Sequence, residues 1–349
     1  MITILKTWGK RYLSDPQAVL FLGLLGVGLF LILGMGKILA PVFASIVLAY
    51  LLQWVANILV RCGCPARAAV FVVYIAFLSL FLLAIFVLWP IIFQQFLRLF
   101  DEVPNMLTHV QEFLYLLPQK FPQYLTQETV DGWVSGFMLQ AKQGAKAFLT
   151  FSLASLPNVM AVIIYLILVP LMVFFFLKDH QEITDWCMKF LPRRREFLRE
   201  LWQDVHAQIG NYIRGKGAEV AIVALITYLV FYFCHLRYAV LLAVLVGLSV
   251  LVPYVGIVVV TIPVVLVAFF QWGFESQFLY LLIAYGIVQA LDGAILVPLL
   301  FAEAVSLHPV VIIIAVLVFG GWWGFWGVFF AIPLAAFVNA VIQRWPVAT

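Results

Sequence analysis

Charged residues are scarce in this chain of 349 residues. Asp, Glu, Lys and Arg together make up 10% of it, against roughly 25% in soluble domains. No Asp, Glu, Lys, Arg or His lies between Tyr238 and Phe274, and no Asp, Glu, Lys or Arg between Ala304 and Gln343. This scarcity, together with 66% hydrophobic residues, excludes a soluble globular protein and predicts one polytopic membrane domain.

Several functional signatures are also missing. The chain has no G-x-x-x-x-G-K phosphate loop, no nucleophile–base pair, and no metal-ligand spacing among its five histidines and four cysteines. The net charge is only +4, and the basic residues gather near the ends of apolar runs, as topology signals do. We therefore expect a protein that is not an enzyme and has no catalytic residue, cofactor, metal site or nucleic-acid partner.

Six uninterrupted apolar runs have the roughly 20 residues that cross a ~30 Å hydrocarbon core. They lie at about 17–36, 38–60, 68–92, 154–177, 217–236 and 277–299. The predicted organisation is N-terminal spans at 1–92, an external insert of amphipathic helices at 93–153, a span at 154–177, a cytoplasmic amphipathic element at 178–214 and a transport core at 215–349. Within the insert, Pro104 is expected to begin a second helix, and Pro118 and Pro122 to end that stretch.

Lysine and arginine near the span ends predict the orientation. The basic residues at 6–11, 61–67 and 178–199 all fall on the cytoplasmic side if each of the six runs crosses once. Lys37 and Arg237 then lie in short external loops. Both termini are expected in the cytoplasm.

Two further apolar stretches, at about 239–271 and 308–343, are interrupted by glycine and proline near their middles. The interruptions are Val252-Pro253-Tyr254-Val255-Gly256 and Gly320-Gly-Trp-Trp-Gly324-Phe-Trp-Gly327. Backbone polar groups in lipid cannot stay unpaired, so broken helices at membrane depth indicate a protein-lined or wet cavity. Such breaks at matching places are the best sequence indication of a transporter's binding site.

The spacing of these stretches predicts two re-entrant hairpins that enter from opposite faces. Each follows an uninterrupted span, and each returning arm carries an Ile-Pro step, at Pro263 or Pro333. Half-helices of about 12 residues reach only ~18 Å, which is too short to cross. Residues 217–270 and 277–345 would then form an inverted repeat. The expected hinge residues are Pro263, Gly293, Pro298, Gly324, Gly327 and Pro333.

Five segments of the chain form a distinctive set. They are Phe176-Leu-Lys-Asp179, Phe190-Leu-Pro-Arg-Arg194, Tyr212-Ile-Arg-Gly215, Val252-Pro-Tyr-Val-Gly256, and Gln289-Ala-Leu-Asp292-Gly293 through Pro298 to Leu307-His-Pro309. Together they resemble the autoinducer-2 exporter family, also called PerM-type permeases. The chain departs from the family pattern at Asp292, where Glu is common, at Ala294, where Asn is frequent, and at Glu303, where a basic residue is frequent. The resemblance implies a multi-pass transporter of the bacterial inner membrane, often a homo-oligomer such as a pentameric ring. It also implies a cargo such as autoinducer-2, or sodium exchanged for protons.

Asp292 is the principal candidate for the transport chemistry. It lies well inside an apolar run, where an ionised carboxylate costs several kcal/mol, which makes it a candidate proton or sodium carrier. The structural alternative is a carboxylate near the membrane boundary that caps or pairs. Asn211 and Arg214 precede the 217–236 span, and Arg214 is either a counter-charge for Asp292 or Glu303 or a snorkelling side chain. The remaining binding candidates are Gln289, Pro253, Tyr254, Gly256 and Thr261.

The sequence thus predicts an all-α integral membrane protein, a polytopic helical bundle with two re-entrant hairpins in its C-terminal half and an external helical insert. The predicted function is export of a small polar solute, autoinducer-2-like by resemblance, coupled to an ion gradient. Two alternatives stay open, a monovalent cation (sodium)/proton antiporter and a non-transporting membrane scaffold. The expected partners are the lipid bilayer, the solute or a monovalent cation and protons, and further copies of the chain.

Overall fold

The computed structural model describes residues 16–120, 126–127, 130–136, 139–140, 143, 159–189, 196–301 and 308–344. Throughout these ranges the chain is helical apart from short turns, and they contain no strand. The prediction of an all-α protein is therefore confirmed. Glu303, Leu307 and the arginines at 193–195 lie outside the described residues.

The helices follow one another along the chain with few connecting residues. In chain order they are α1 (Pro16–Arg61), α2 (Ala66–Leu83), α3 (Trp89–Lys120), α4 (Val159–Lys178), α5 (His180–Lys189), α6 (Glu196–Phe233), α7 (Ala239–Ser249), α8 (Val255–Trp272), α9 (Ser276–Leu291), α10 (Val297–Phe301), α11 (Pro309–Trp323), α12 (Phe325–Phe329) and α13 (Ala331–Arg344). Residues 130–136 are also helical.

Five helical stretches among the described residues are long and apolar enough to cross a membrane. They are Ile38–Arg61, Ala66–Glu112, His206–Phe233, Val255–Trp272 and Ser276–Phe301. A sixth is counted if α4 and the start of α5, bent by 81° at Asp179, form one broken span. The outward faces of these stretches expose Phe, Ile, Leu and Val side chains, as lipid-facing surfaces do. The structure is that of a polytopic helical membrane protein.

Close packing around α6 forms the core of the C-terminal half. α6, α7, α8 and α9 share one cluster of buried side chains, which includes Val223, Phe231, Leu242, Val246, Val264 and Leu281. Gly247 of α7 lies directly against Ala224 of α6, and a methyl group at Gly247 would collide with it. Small residues allow such close approach of helices in lipid, where no hydrophobic effect drives their association.

Two π-helical turns mark places where a proline interrupts a long helix. Ala84–Leu88 and Asp292–Leu296 lie directly before Trp89-Pro90 and Val297-Pro298. Proline has no N–H, and its ring displaces the carbonyl four residues earlier, so the regular ladder cannot continue there. In each turn, the N–H after the turn donates to the carbonyl of the first turn residue, five positions back. The second turn begins at Asp292, and such turns are frequent at functional sites.

Several predicted helix boundaries are wrong. α1 continues from 16 to 61 without a turn at Lys37, so the expected external loop there does not exist. A lone lysine has high helix propensity and does not end a helix. α3 likewise runs through Pro104 and Pro118, because a proline within a long helix removes one ladder bond without ending it. α6, finally, joins the predicted cytoplasmic element to the following span in one helix of 38 residues.

Candidate functional site

The first interrupted stretch is broken where the sequence predicts. α7 ends at Ser249 after 11 residues, and α8 begins at Val255. At the break Tyr254 has a φ of +62°, a conformation that costs a non-glycine residue about 1–3 kcal/mol. Gly256 lies against the carbonyl of Ser249, and any side chain at Gly256 would overlap that oxygen. α8 has 18 residues and runs through Pro263, so this arm is longer than the predicted half-helix.

The second stretch is broken in a similar way. α11 ends at Trp323, Gly324 has a φ of +61°, and the five-residue α12 precedes α13. Gly327 lies against the carbonyl of Phe319, as Gly256 does against that of Ser249, and a side chain at Gly327 would overlap that oxygen too. Pro333 is buried inside α13 and does not interrupt it.

α6 contacts both breaks with two side chains one helical turn apart. Lys216 donates a hydrogen bond from Nζ to the carbonyl of Val250, at 2.8 Å, just after α7 ends. Tyr212 donates from its hydroxyl to the carbonyl of Phe329, also at 2.8 Å, where α12 ends. Carbonyls at helix ends lack intrahelical partners, so each bond satisfies a group that its break leaves free. The Tyr212-Ile-Arg-Gly215 motif thus lies on the helix that holds both breaks.

We expect Tyr212→Phe to lower the free energy of unfolding by about 1–3 kcal/mol, the cost of leaving a buried carbonyl unpaired. Tyr212 is 1% exposed, and no water replaces its hydroxyl easily. The measurement is thermal unfolding of the purified protein in detergent. Tyr232→Phe is the matched control, since Tyr232 lies on the same helix with 59% exposure. Equal unfolding temperatures for the two variants would contradict the prediction.

A cavity of about 560 Å³ lies beside the first break. It is lined by Lys216, Glu219, Val250, Val252, Pro253, Tyr254, Ile257, Asp292, Gly293, Val297, Pro298, Phe301, Ile312 and Ile332. These residues come from α6, the first break, the start of α8, the second π-helical turn, and the helices α10, α11 and α13. The walls are mostly apolar, and the charged groups are confined to three side chains.

These three charged side chains are all buried. Lys216 and Glu219 form an ion pair with 2.7 Å between Nζ and Oε2, and their side chains are 7% and 2% exposed. The same ammonium lies 5.2 Å from the centre of the Phe301 ring. Asp292 is 4% exposed, and its Oδ1 atom has no hydrogen-bond partner in the described part of the protein. Two carboxylates and one ammonium leave a net charge of −1 when all three are ionised.

The structure brings together only some of the predicted site residues. Asp292, Pro253, Tyr254, Gly293 and Pro298 line the cavity, while Gly256 shapes the break beside it. Elsewhere, the Thr261 hydroxyl donates to the carbonyl of Ile257 and lies 3.1 Å from the hydroxyl of Tyr285. Gln289, one turn after Tyr285, has an amide with both polar atoms buried. Neither Thr261 nor Gln289 lines the cavity.

Arg214 lines a different cavity, of about 660 Å³, between α1, α4, α5 and α6. Arg214 donates to the carbonyl of Gly210 at 3.0 Å and to the amide oxygen of Asn211. At the same cavity, the Tyr50 hydroxyl of α1 lies 2.7 Å from the Nε2 atom of His206, which is on α6 as Arg214 is. The cation at the Asp292 cavity is instead Lys216, two residues further along α6.

Sequence reasoning missed Lys216 and Glu219. Glu219 could have been identified because it is a carboxylate in an apolar run. Lys216 lies three residues before it, a spacing that permits pairing on one helix face. The same argument that identified Asp292 therefore applied to Glu219.

The connection between α6 and α7 and the first turn of α7 both contact α3. Glu102 lies 3.5 Å from the Arg237 guanidinium, and the side-chain oxygen of Gln95 accepts from the N–H of Leu241 at 2.9 Å. The pKa of Tyr238 is raised to about 12. Burial is the largest cause, and the hydrogen bond and negative charge of Glu102 add to it. The Tyr238 phenol therefore stays protonated at neutral pH. At least α3 of the predicted insert packs against the bundle.

A polytopic helical protein with two broken helices and buried charges around a cavity has the construction of a membrane transport protein. The comparisons with known sequences agree. The chain belongs to the AI-2E transporter family, because a sequence model described as AI-2E family transporter matches residues 19–347. This confirms the resemblance found in the sequence.

Individual relatives cover nearly the same length. The chain is 44% identical to PerM of Escherichia coli (strain K12) over 346 residues, which are 99% of this chain and 98% of PerM. It is 26% identical to YueF of Bacillus subtilis (strain 168) over 317 residues, which are 86% of this chain and 84% of YueF. By name, the first is a permease and the second a transport protein, and neither name specifies a cargo.

Proposed function

We propose that this protein exports a small polar solute, of the autoinducer-2 kind, across the bacterial inner membrane in exchange for an ion. The proposal depends chiefly on the position of Asp292, which lines a cavity of about 560 Å³. Its side chain is buried, at 4% exposure, and its Oδ1 atom has no hydrogen-bond partner in the described residues. Ligand sites for small molecules are commonly cavities of about 300–1,000 Å³ with apolar walls and few polar groups.

The lengths of α7, α11 and α13 support re-entrant hairpins around this cavity, whereas α8, with 18 residues, is long enough to cross a membrane. α7, α11 and α13 have 11, 15 and 14 residues, or about 17, 23 and 21 Å at 1.5 Å per residue, which is less than a ~30 Å core. In the proposed mechanism the two hairpins enter from opposite faces and expose the cavity alternately. Before they move, α6 holds both breaks through the hydrogen bonds of Lys216 and Tyr212.

The buried charges supply the coupling. With Lys216, Glu219 and Asp292 ionised, the cavity carries a net charge of −1 away from water, which is costly. Uptake of one proton or one sodium ion neutralises it. The neutral and charged forms then favour different arrangements of the breaks, because Lys216 also binds the carbonyl of Val250.

Flux measurements in proteoliposomes test the proposal. We expect purified protein to move autoinducer-2 faster than empty liposomes do, with the rate increasing when a proton or sodium gradient is imposed. The same protein heated beyond its unfolding temperature serves as the control. Autoinducer-2 flux equal to that of empty liposomes under every gradient would overturn it.

Sodium/proton antiport is the second candidate function, and one observation favours it. Two carboxylates, Glu219 and Asp292, line one cavity, and carboxylate and carbonyl oxygens suit both a proton and a hard cation. A sodium step applied without any solute, with a pH-sensitive dye inside the liposomes, distinguishes the two functions. Proton movement without solute assigns antiport, and its absence together with solute flux assigns export.

Orientation is part of the proposal, and cysteine labelling tests it. Cys62 is exposed in the turn between α1 and α2, which nearby arginines place in the cytoplasm. In a variant with Cys62 as its single cysteine, a membrane-impermeant maleimide should react only after the cells are permeabilised. A single cysteine introduced by Glu275→Cys, in the exposed turn after α8, should react in intact cells.

Labelling of Cys62 in intact cells would contradict this orientation. The cytoplasmic position of the C-terminus follows from the same charges and stays a proposal. The cytoplasmic position of the N-terminus is predicted from the basic residues at 6–11, which lie outside the described residues, and it also stays a proposal. It requires its own measurement, with a single cysteine placed before residue 16.

A further inference from the structure

We infer that the Lys216 ammonium occupies the transporter's own cation-binding site, and that the coupling cation enters by displacing it. The inference rests on the proposed function and specifies the site at which the ion acts. It assigns the ion to Glu219 and the first helix break, with Asp292 as the group that receives the displaced lysine.

The surroundings of the Lys216 ammonium are those of a monovalent cation. Its Nζ atom lies 2.7 Å from a Glu219 carboxylate oxygen and 2.8 Å from the carbonyl oxygen of Val250. The Phe301 ring, 5.2 Å away from centre to nitrogen, adds the attraction of its π face. Carboxylate and backbone carbonyl oxygens are the ligands that hard cations prefer.

Among the described residues that line the cavity, Asp292 is the one other carboxylate that can accept the displaced lysine. Among the residues that line it, α6 contributes Lys216 and Glu219, and the π-helical turn contributes Asp292. The lining residues of α8, α10, α11 and α13 carry no Asp, Glu, Lys, Arg or His. Asp292 is buried, and its Oδ1 is unpartnered in the described chain. A lysine side chain has enough rotatable bonds to exchange one carboxylate for the other.

This exchange connects ion binding to movement of the backbone. When Lys216 leaves Glu219, it also leaves the carbonyl of Val250 at the end of α7. The incoming ion replaces that bond with its own, while the new Lys216–Asp292 pair pulls on the π-helical turn. One ion neutralises one net negative charge, so each cycle exchanges a single charge at this site.

Lys216→Met tests the inference, because it keeps the apolar stem and removes the competing charge. We expect the sodium concentration, or the proton concentration, at half-maximal flux to fall at least tenfold. Sodium binding to the detergent-purified variant, measured by titration calorimetry, should tighten by the same factor. Lys189→Met is the control, since Lys189 is exposed at the end of α5 and should leave both values unchanged.

Two results would overturn the inference. One is a half-maximal ion concentration in Lys216→Met within twofold of the wild-type value. The other, which holds even if Lys216→Met fails to fold, is unchanged ion binding in Glu219→Gln, which removes the proposed ligand charge. Absence of flux in the wild-type protein would instead reject the proposed function, so the two failures are distinguishable.

Discussion

Asp292→Asn is expected to abolish ion-coupled flux, with a loss of at least about tenfold, while the protein folds normally. The amide has nearly the shape of the carboxyl group, so the cavity and the π-helical turn keep their packing. However, it can neither take up a proton nor carry the charge that a cation or Lys216 requires. A buried carboxylate costs several kcal/mol in a membrane, so removing it is not expected to destabilise the fold. Flux in proteoliposomes measures the loss of coupling, and thermal unfolding in detergent measures whether the fold is kept.

The matched control is Asp101→Asn on α3. Asp101 is exposed and lies outside the cavity lining, so this variant should transport at the wild-type rate. Wild-type coupled flux by Asp292→Asn at every pH between 5 and 9 would exclude Asp292 from the coupling. The purely structural interpretation of Asp292, as a capping or pairing group, would then be correct.

Gly256→Ala and Gly327→Ala should each destabilise the protein severely. In both, the added methyl group would overlap a backbone carbonyl, that of Ser249 or of Phe319. Overpacking commonly costs about 1–3 kcal/mol, and we expect the upper end or more because a backbone oxygen cannot move aside as a side chain does. The measurements are the yield of monodisperse protein and its unfolding temperature.

Gly286→Ala provides the comparison for these variants. Gly286 lies in α9, and a methyl group there would meet nothing within 4 Å. Alanine is favoured over glycine in helices by about 1 kcal/mol, so this variant should be as stable as the wild type or more so. If Gly256→Ala and Gly327→Ala unfolded at the temperature of Gly286→Ala, the proposed role of the two glycines would be wrong.

The positions of both helix breaks could be predicted from the sequence because local backbone chemistry determines them. Pro253 removes a hydrogen-bond donor, and Gly256 and Gly327 permit contacts that no other residue allows. Asp292 was identifiable for a similar reason, since a carboxylate in an apolar run is costly wherever the run lies. These arguments need only the residue and its immediate neighbours along the chain.

Helix boundaries and charge partners could not be predicted in the same way. Lys37 and Pro104 look like boundaries in a sequence, but helices continue through both because one charge or one missing hydrogen bond does not end a long helix. Which basic side chain lines the cavity beside Asp292 depended on which face of α6 points toward it. Arg214 and Lys216 are two residues apart and therefore project in different directions, a difference that only tertiary packing makes visible.

The hydrogen bonds from Tyr212 and Lys216 have a mechanical consequence. A helix is stiff along its axis, and these two residues are only about 6 Å apart along it. A tilt of α6 that weakens its hydrogen bond to one break must therefore also shift its hydrogen bond to the other break. In the proposed mechanism, this common support would couple the movements of the two hairpins without any long-range signal between them.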